Sequence, residues 1–264
     1  MRKGKKIVLI VLAVILLAAA GCGAYVYFAY FNSHPEKEPG NAPEYSVAET
    51  NINPESVLTG KRIIFLGSSV TYGSESMGES FVDYLEKMDG VIPYKEAVSG
   101  TTLVDKDSYG RASYIARMKL IDRDFTADAF VCQLSTNDAT MKKPLGEISE
   151  SMRLEDFDTQ TVTGAMEYVI AYARETWDCP IVFYTGTPYQ SRGSVEYEAM
   201  VDRLLELRDK WGITVLDLWH DPAMAAVSSE DYALYMANGI HPTRAGYRDW
   251  WTPKFEECLT EIFA

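Results

Sequence analysis

Histidine is scarce in this chain of 264 residues: there are three, His34, His220 and His241. The cysteines, Cys22, Cys132, Cys179 and Cys258, stand too far apart for any C-x-x-C pair. Those two shortages argue against a structural zinc site, a dithiol redox centre and a multi-histidine metal centre. No dense Lys/Arg run follows residue 6, and no acid precedes Glu36. The net charge is −13; with Arg2, Lys3, Lys5 and Lys6 set aside, 21 basic against 38 acidic residues leave −17 for the rest. A body of that sign repels phosphate backbones, so no nucleic-acid partner is expected. Also missing are internal repeats, a G-x-G-x-x-G, a glycine-rich loop ending in Lys-Ser/Thr, and a G-x-S-x-G elbow. Dinucleotide, P-loop and ordinary α/β-hydrolase sites are thereby excluded. What remains is globular in composition, 47% apolar and 24% charged, which is ordinary for a folded soluble domain.

Charge is also absent from Ile7 to Phe31, a run of 25 almost wholly apolar residues behind the four basic ones. A bilayer core needs about 20 such residues, and a basic flank belongs on the cytoplasmic side. Residues 1–31 are therefore expected to be a cytoplasmic basic tip and a transmembrane signal anchor, with the rest of the chain outside the cell membrane. Tyr25, Tyr27, Phe28, Tyr30 and Phe31 suit an aromatic belt at its outer end. The alternative is a cleaved leader, or a lipoprotein leader ending at Gly21 before Cys22; the run is too long for either, whose apolar cores span roughly 7–15 residues. Residues 32–60, with Pro35, Pro39, Pro43 and Pro54, read as an extended, solvated linker. Residues 61–264 are long enough for one domain with a substantial core.

Within that domain, short apolar runs at Arg62–Leu66, Tyr94–Val98, Ala129–Leu134, Ile181–Tyr184 and Ile213–Leu218 suit buried strands. Between them lie segments of helical spacing. In Val195–Trp211, Met200, Leu204, Leu207 and Trp211 mark one face while Glu196, Asp202, Arg203 and Asp209 stay polar. Thr161–Thr176 is a second such segment, and a last one runs from about Arg244 to the carboxyl terminus with Pro253 early or at a break. Strands alternating with helices predict an α/β fold with a parallel sheet covered on both faces. The ligand crevice of such a sheet lies at the carboxyl ends of its strands.

Four polar blocks stand there. Gly67-Ser68-Ser69 follows the first strand, Ser99-Gly100-Thr101-Thr102 the second and Ser135-Thr136-Asn137-Asp138 the third, while Asn238-Gly239-Ile240-His241-Pro242-Thr243-Arg244-Ala245-Gly246-Tyr247 comes near the end. A hydroxyl nucleophile, a small residue that lets backbone approach, an amide and a histidine on one rim can perform acyl transfer: the base activates the serine and the amides hold the oxyanion. Together and in this order the blocks resemble those of the SGNH (GDSL-type) hydrolases, over essentially all of residues 61–264. The resemblance implies a three-layer α/β/α sandwich with a five-stranded parallel sheet, flavodoxin-like, here preceded by one transmembrane helix. It implies Ser69 as nucleophile, His241 as base, and Ser69, Gly100 and Asn137 as oxyanion donors, with no cofactor and no metal.

The chain departs from the family pattern in three places: Ser68 replaces the Asp before the nucleophile, Ser135 the Gly of the third block, and Asn238 the acid three residues before the base. Asn238 can accept a hydrogen bond from the imidazole but carries no charge to stabilise imidazolium. Some members of the family manage with a carbonyl in that role. An intact D-x-x-H occurs instead at Asp217-Leu218-Trp219-His220, but it lacks the Pro-Thr-x-Ala-Gly-Tyr continuation, so His241 is the expected base. Trp250 and Trp251 are expected in packing rather than as a sugar platform, and Cys132 as a buried filler. The expected protein is a membrane-anchored, extracytoplasmic serine ester hydrolase acting on small or carbohydrate esters. An acyltransferase using the same serine and histidine, or a silent glycan-binding domain, are the alternatives.

Overall fold

The computed structural model describes residues 34–105 and 113–264. Apolar runs that end at a glycine or a polar rim residue form its strands: β1 Arg62–Gly67, β2 Ile92–Ala97, β3 Ala129–Gln133, β4 Ile181–Tyr184 and β5 Thr214–Leu216. All neighbours are parallel, in the order β2-β1-β3-β4-β5. This is the flavodoxin-like order, in which the chain reverses its winding between β1 and β3 and opens a crevice there.

Side chains alternate across the sheet. From β1, Ile64 and Leu66 pack with the helices Val162–Trp177 and Ser194–Trp211. Ile63 and Phe65 pack on the opposite face with the helices Phe81–Asp89 and Thr252–Phe263. The three-layer α/β/α sandwich is thus present. The Phe81–Asp89 helix starts in a capping box between Ser80 and Asp83 and stops at Gly90 in the left-handed region, the terminators expected of a short amphipathic helix. The last helical segment is interrupted: a π-turn over Tyr247–Trp251 precedes Thr252–Phe263, with Pro253 in the first turn. Proline has no N–H to give to the preceding turn, which makes a change of winding there inexpensive.

Residues 32–60 are not an extended, solvated linker where the structure describes them. Four single turns follow one another, Pro35–Lys37, Pro39–Asn41, Pro43–Tyr45 and Val47–Glu49; the last three lie against the domain, and Glu36–Ala264 forms one compact unit. The last three turns are closed by their own backbone bonds, and three of the four prolines that read as linker punctuation, Pro35, Pro39 and Pro43, occupy first positions of the turns. Leu58, at the end of this stretch, is fully buried. The expected membrane span, residues 7–31, lies outside the described residues; among the described residues no helix is long and apolar enough to cross a membrane. Cys132, Cys179 and Cys258 are free thiols. Cys179 packs with one face of the sheet and Cys258 with the other, so those two cannot meet.

Candidate active site

Strand β1 ends at Gly67, where a side chain would collide with Thr71 Oγ1 at 1.8 Å. The chain then enters a short helix, Ser69–Tyr72, whose first residue is Ser69 and whose exit is Gly73 in the left-handed region. The turn is pinned from below by Gln133 at the end of β3. Its Oε1 accepts from Ser68 N–H (2.9 Å) and from Thr71 Oγ–H (2.8 Å), and Thr71 Oγ1 also meets Tyr184 Oη at 2.7 Å. Ser68 is therefore fully buried and turned inward. Ser69 reaches the rim and places its Oγ 2.8 Å from His241 Nε2.

The histidine is held by its own loop. Asn238 Oδ1 lies 3.0 Å from His241 Nδ1 and accepts the main-chain N–H of Ile240 and of His241, each at 3.0 Å. Two backbone donors converging on that atom identify it as the oxygen, which makes Nδ1 the protonated ring nitrogen and leaves the Nε2 lone pair for the Ser69 hydroxyl. Asn238 thus does by a carbonyl what an aspartate does in a triad, without the charge. Burial lowers the His241 pKa from 6.5 to about 4, although the ring is not wholly shut off from solvent. A neutral imidazole is the form able to take a proton.

The remaining two blocks meet beside the end of β1, where Thr101 Oγ–H donates to Gly67 O at 3.4 Å. Gly100 sits in the turn after β2 with φ of +82°, a conformation that glycine adopts without strain. Asn137 projects from the start of the Thr136–Thr140 helix after β3, and its Nδ2 donates to Thr101 O at 2.8 Å. A primary amide has two such hydrogens, so one remains for a ligand. The adjoining Asp138 is fully buried and accepts from Leu103 N–H (2.7 Å) and Val104 N–H (3.1 Å). Burial raises its pKa, and the hydrogen bonds it accepts oppose that. One helix start therefore fixes the loop carrying Gly100 by both Asn137 and Asp138.

Of the five residues singled out in the sequence, Ser69 and Asn137 open short helices and Gly100, Asn238 and His241 stand on loops, and Ser69, His241 and Asn238 form one hydrogen-bonded row. The competing motif builds a similar local turn, with His220 Nδ1 2.8 Å from Asp217 Oδ2, but the ring that meets Ser69 is that of His241. Sequence reasoning gave no role to Gln133, Thr71 or Asp138; Tyr247, part of the histidine motif and buried in packing, donates its Oη–H to Val70 O at 2.6 Å and so ties the histidine segment to the serine helix. Trp251 is fully buried, as expected. Trp250 also packs against the core, stacking on Tyr235, and it lines a cavity of about 320 Å³ with Thr187, Pro188, Met224 and Tyr232.

A doubly wound sheet bearing a serine hydrogen-bonded to a histidine above its switch point defines a class, the α/β proteins with a serine–histidine site on the strand carboxyl edge. The family model described as GDSL-like Lipase/Acylhydrolase matches residues 65–248. The chain belongs to that family. Solved structures share the fold. A protein from Lactobacillus plantarum is 21% identical, with 78% of this chain and 99% of that one covered and a TM-score of 0.66. The inhibitor-bound aryl esterase of M. smegmatis is 15% identical, with 77% and 100% covered and a TM-score of 0.56. A candidate GDSL-like lipase from Bacteroides ovatus is 17% identical, with 76% and 96% covered and a TM-score of 0.55. Among curated proteins none matches.

Proposed function

We propose that this protein is a serine ester hydrolase, held at the cell membrane by residues 7–31 with its folded domain on the outer side, and acting on acyl or acetyl esters of wall or environmental carbohydrate. One observation carries the chemical part: Ser69 Oγ stands 2.8 Å from a His241 Nε2 whose opposite nitrogen is anchored on Asn238 Oδ1. In the reaction, His241 takes the Ser69 proton as Oγ attacks the ester carbonyl. The oxyanion is received by the Ser69 and Gly100 N–H groups and the second Asn137 Nδ2 hydrogen, the alcohol leaves with the proton from His241, and water clears the acyl-enzyme by the reverse use of the same base. The membrane part is supported by the length of the apolar run and its basic flank. The carbohydrate part is supported by the outward location that this topology implies.

The test is labelling of the full chain with a fluorophosphonate probe, followed by turnover of acetylated glycans and p-nitrophenyl esters. Labelling on Ser69 with release of acid is the expected result. Transfer of the acyl group to a sugar instead of water would make the protein an acyltransferase. Absence of labelling and turnover, with retained glycan binding, would make it a silent binding domain. Protease applied to intact cells should remove the folded domain and leave a short membrane stub; a mature chain beginning at a lipidated Cys22 would overturn the anchor.

A further inference from the structure

The stretch ahead of β1 lies outside the residues matched by the family model, which begin at residue 65, yet it is wired to both loops that carry Ser69 and His241. Asn41, 5% exposed, is the junction. Its Nδ2 donates to Glu75 O at 2.7 Å, in the turn directly after the serine helix. That turn closes back on the nucleophile, since Gly73 N–H and Ser74 N–H both bond to Ser69 O. On the other side Asn41 Oδ1 accepts Arg244 N–H at 2.8 Å, and Asn41 O accepts Arg244 Nη1–H at 3.3 Å. Arg244 follows His241 by three residues.

Neighbouring contacts close the junction. The Arg244 guanidinium pairs with the Glu79 carboxylate at 2.8 Å, and the same carboxylate accepts Val47 N–H at 3.0 Å. Gly40 lies so close to the histidine loop that an added Cβ would come within 2.3 Å of Thr243 Oγ1 and 2.0 Å of Leu234 O. Tyr84 Oη–H donates to Tyr45 O, and Arg248 Nη1–H to Glu44 O, each at 2.7 Å. The serine and the histidine are 172 residues apart in the chain, and their hydrogen bond survives only while their two loops keep a fixed separation. The Tyr247–Val70 bond sets it from inside the domain; Asn41 sets it from outside.

We propose that Asn41 is a positioning residue of the Ser69–His241 pair, so that the strap of residues 36–50 is a working part of the hydrolase rather than a tether. The inference rests on the serine-hydrolase function proposed above. Removing the amide frees both loops at once, and misplacement by about 1 Å at a reacting pair is enough to cost about 10²-fold in rate.

The experiment compares the full-length wild type with Asn41→Ala and Asn41→Asp. The second variant keeps the acceptor for Arg244 N–H and turns a carboxylate oxygen against Glu75 O. Fluorophosphonate labelling rate, kcat and KM for p-nitrophenyl acetate, and the thermal midpoint are measured, with kinetics taken well below each midpoint. The expected result is a tenfold to hundredfold loss in both kcat and labelling rate with KM within about twofold. Hydrogen exchange should rise together in residues 73–79 and 241–244. A folded variant with a lowered midpoint but unchanged kcat and labelling would reduce Asn41 to a stability role and overturn the proposal. A wild type that neither labels nor turns over would sink the serine-hydrolase function itself, an outcome distinct from active wild type with indifferent variants.

Discussion

At the scale of single residues, the proposed base His241 differs from a triad histidine in that its Nδ1 meets the uncharged Asn238 Oδ1. Burial alone sets its low pKa of about 4, so the neutral form that accepts the serine proton dominates from neutrality down to about pH 5. The expected kcat/KM profile is flat across that range and falls only near pH 4, as the ring takes up a proton. Asn238→Asp should move this acid limb upward, because a carboxylate favours imidazolium, while leaving plateau activity similar or higher; an unmoved limb would mean that Asn238 does not govern the ring. The same depression acts on folding. The unfolded chain binds a proton at pH values where folded His241 does not, so this residue makes stability rise with pH between about 4 and 6.5. Ser69→Ala should abolish probe labelling. Ser68→Ala should preserve it, since Ser68 faces Gln133 and not the rim. Asn137→Ala should lower kcat by around 10²–10³, and a change confined to KM would make it a mere substrate contact. Ser69, Gly100 and Asn137 were legible in the sequence because each stands just after an apolar run, where chain order fixes its place, and Asn238 and His241 because they belong to a ten-residue motif rather than standing alone. Gln133, Thr71 and Asn41 were not, since the partners that matter here lie 34 to 203 residues away and a lone Gln, Thr or Asn carries no pattern.

Among the elements, β1, β3 and β4 coincide with their apolar runs to within a residue, because a strand buried on both faces needs an unbroken apolar stretch. Strand β2 starts two residues earlier than expected, at Ile92: Pro93 reads as a breaker, yet it is tolerated in a strand that has a partner on one side only. The strap was misread for a related reason. Proline, asparagine and glutamate signal solvation in sequence, whereas here Pro39 and Pro43 open single turns whose few side-chain and backbone groups find partners on the domain. A chain beginning at Glu36 should therefore keep wild-type turnover and thermal midpoint, and a chain beginning at Lys61 should lose much of both. Equal behaviour of the two would return the segment to linker status. On the same face of the sheet as the strap, burial first and then the neighbouring Asp89 carboxylate raise the Glu256 pKa to about 7. A carboxyl whose folded pKa is raised holds its proton better in the native state, so its stabilising share is present at low pH and is lost as pH rises through 7. Glu256→Gln should accordingly raise the thermal midpoint at pH 8 relative to wild type and change it little at pH 5.

For the molecule as a whole, the open sheet has two edges, and the way they are finished governs whether copies of the protein can join. Strand β5 is three residues long, too short to template another strand. Strand β2 is the longer hazard, six residues with Ile92 half-exposed at its start. Ile92 N–H points inward to Lys61 O, and successive residues alternate, so the N–H that Pro93 lacks is one that would face outward. Past Tyr94, two successive side chains are charged: Lys95 is paired with Asp83, and Glu96 with Arg117. An edge that is short of a donor and lined with charge is a poor seed for intermolecular strand addition. Pro93→Val restores the donor and adds a β-branched side chain, and light scattering during mild heating should show it self-associating at temperatures where the wild type stays dispersed.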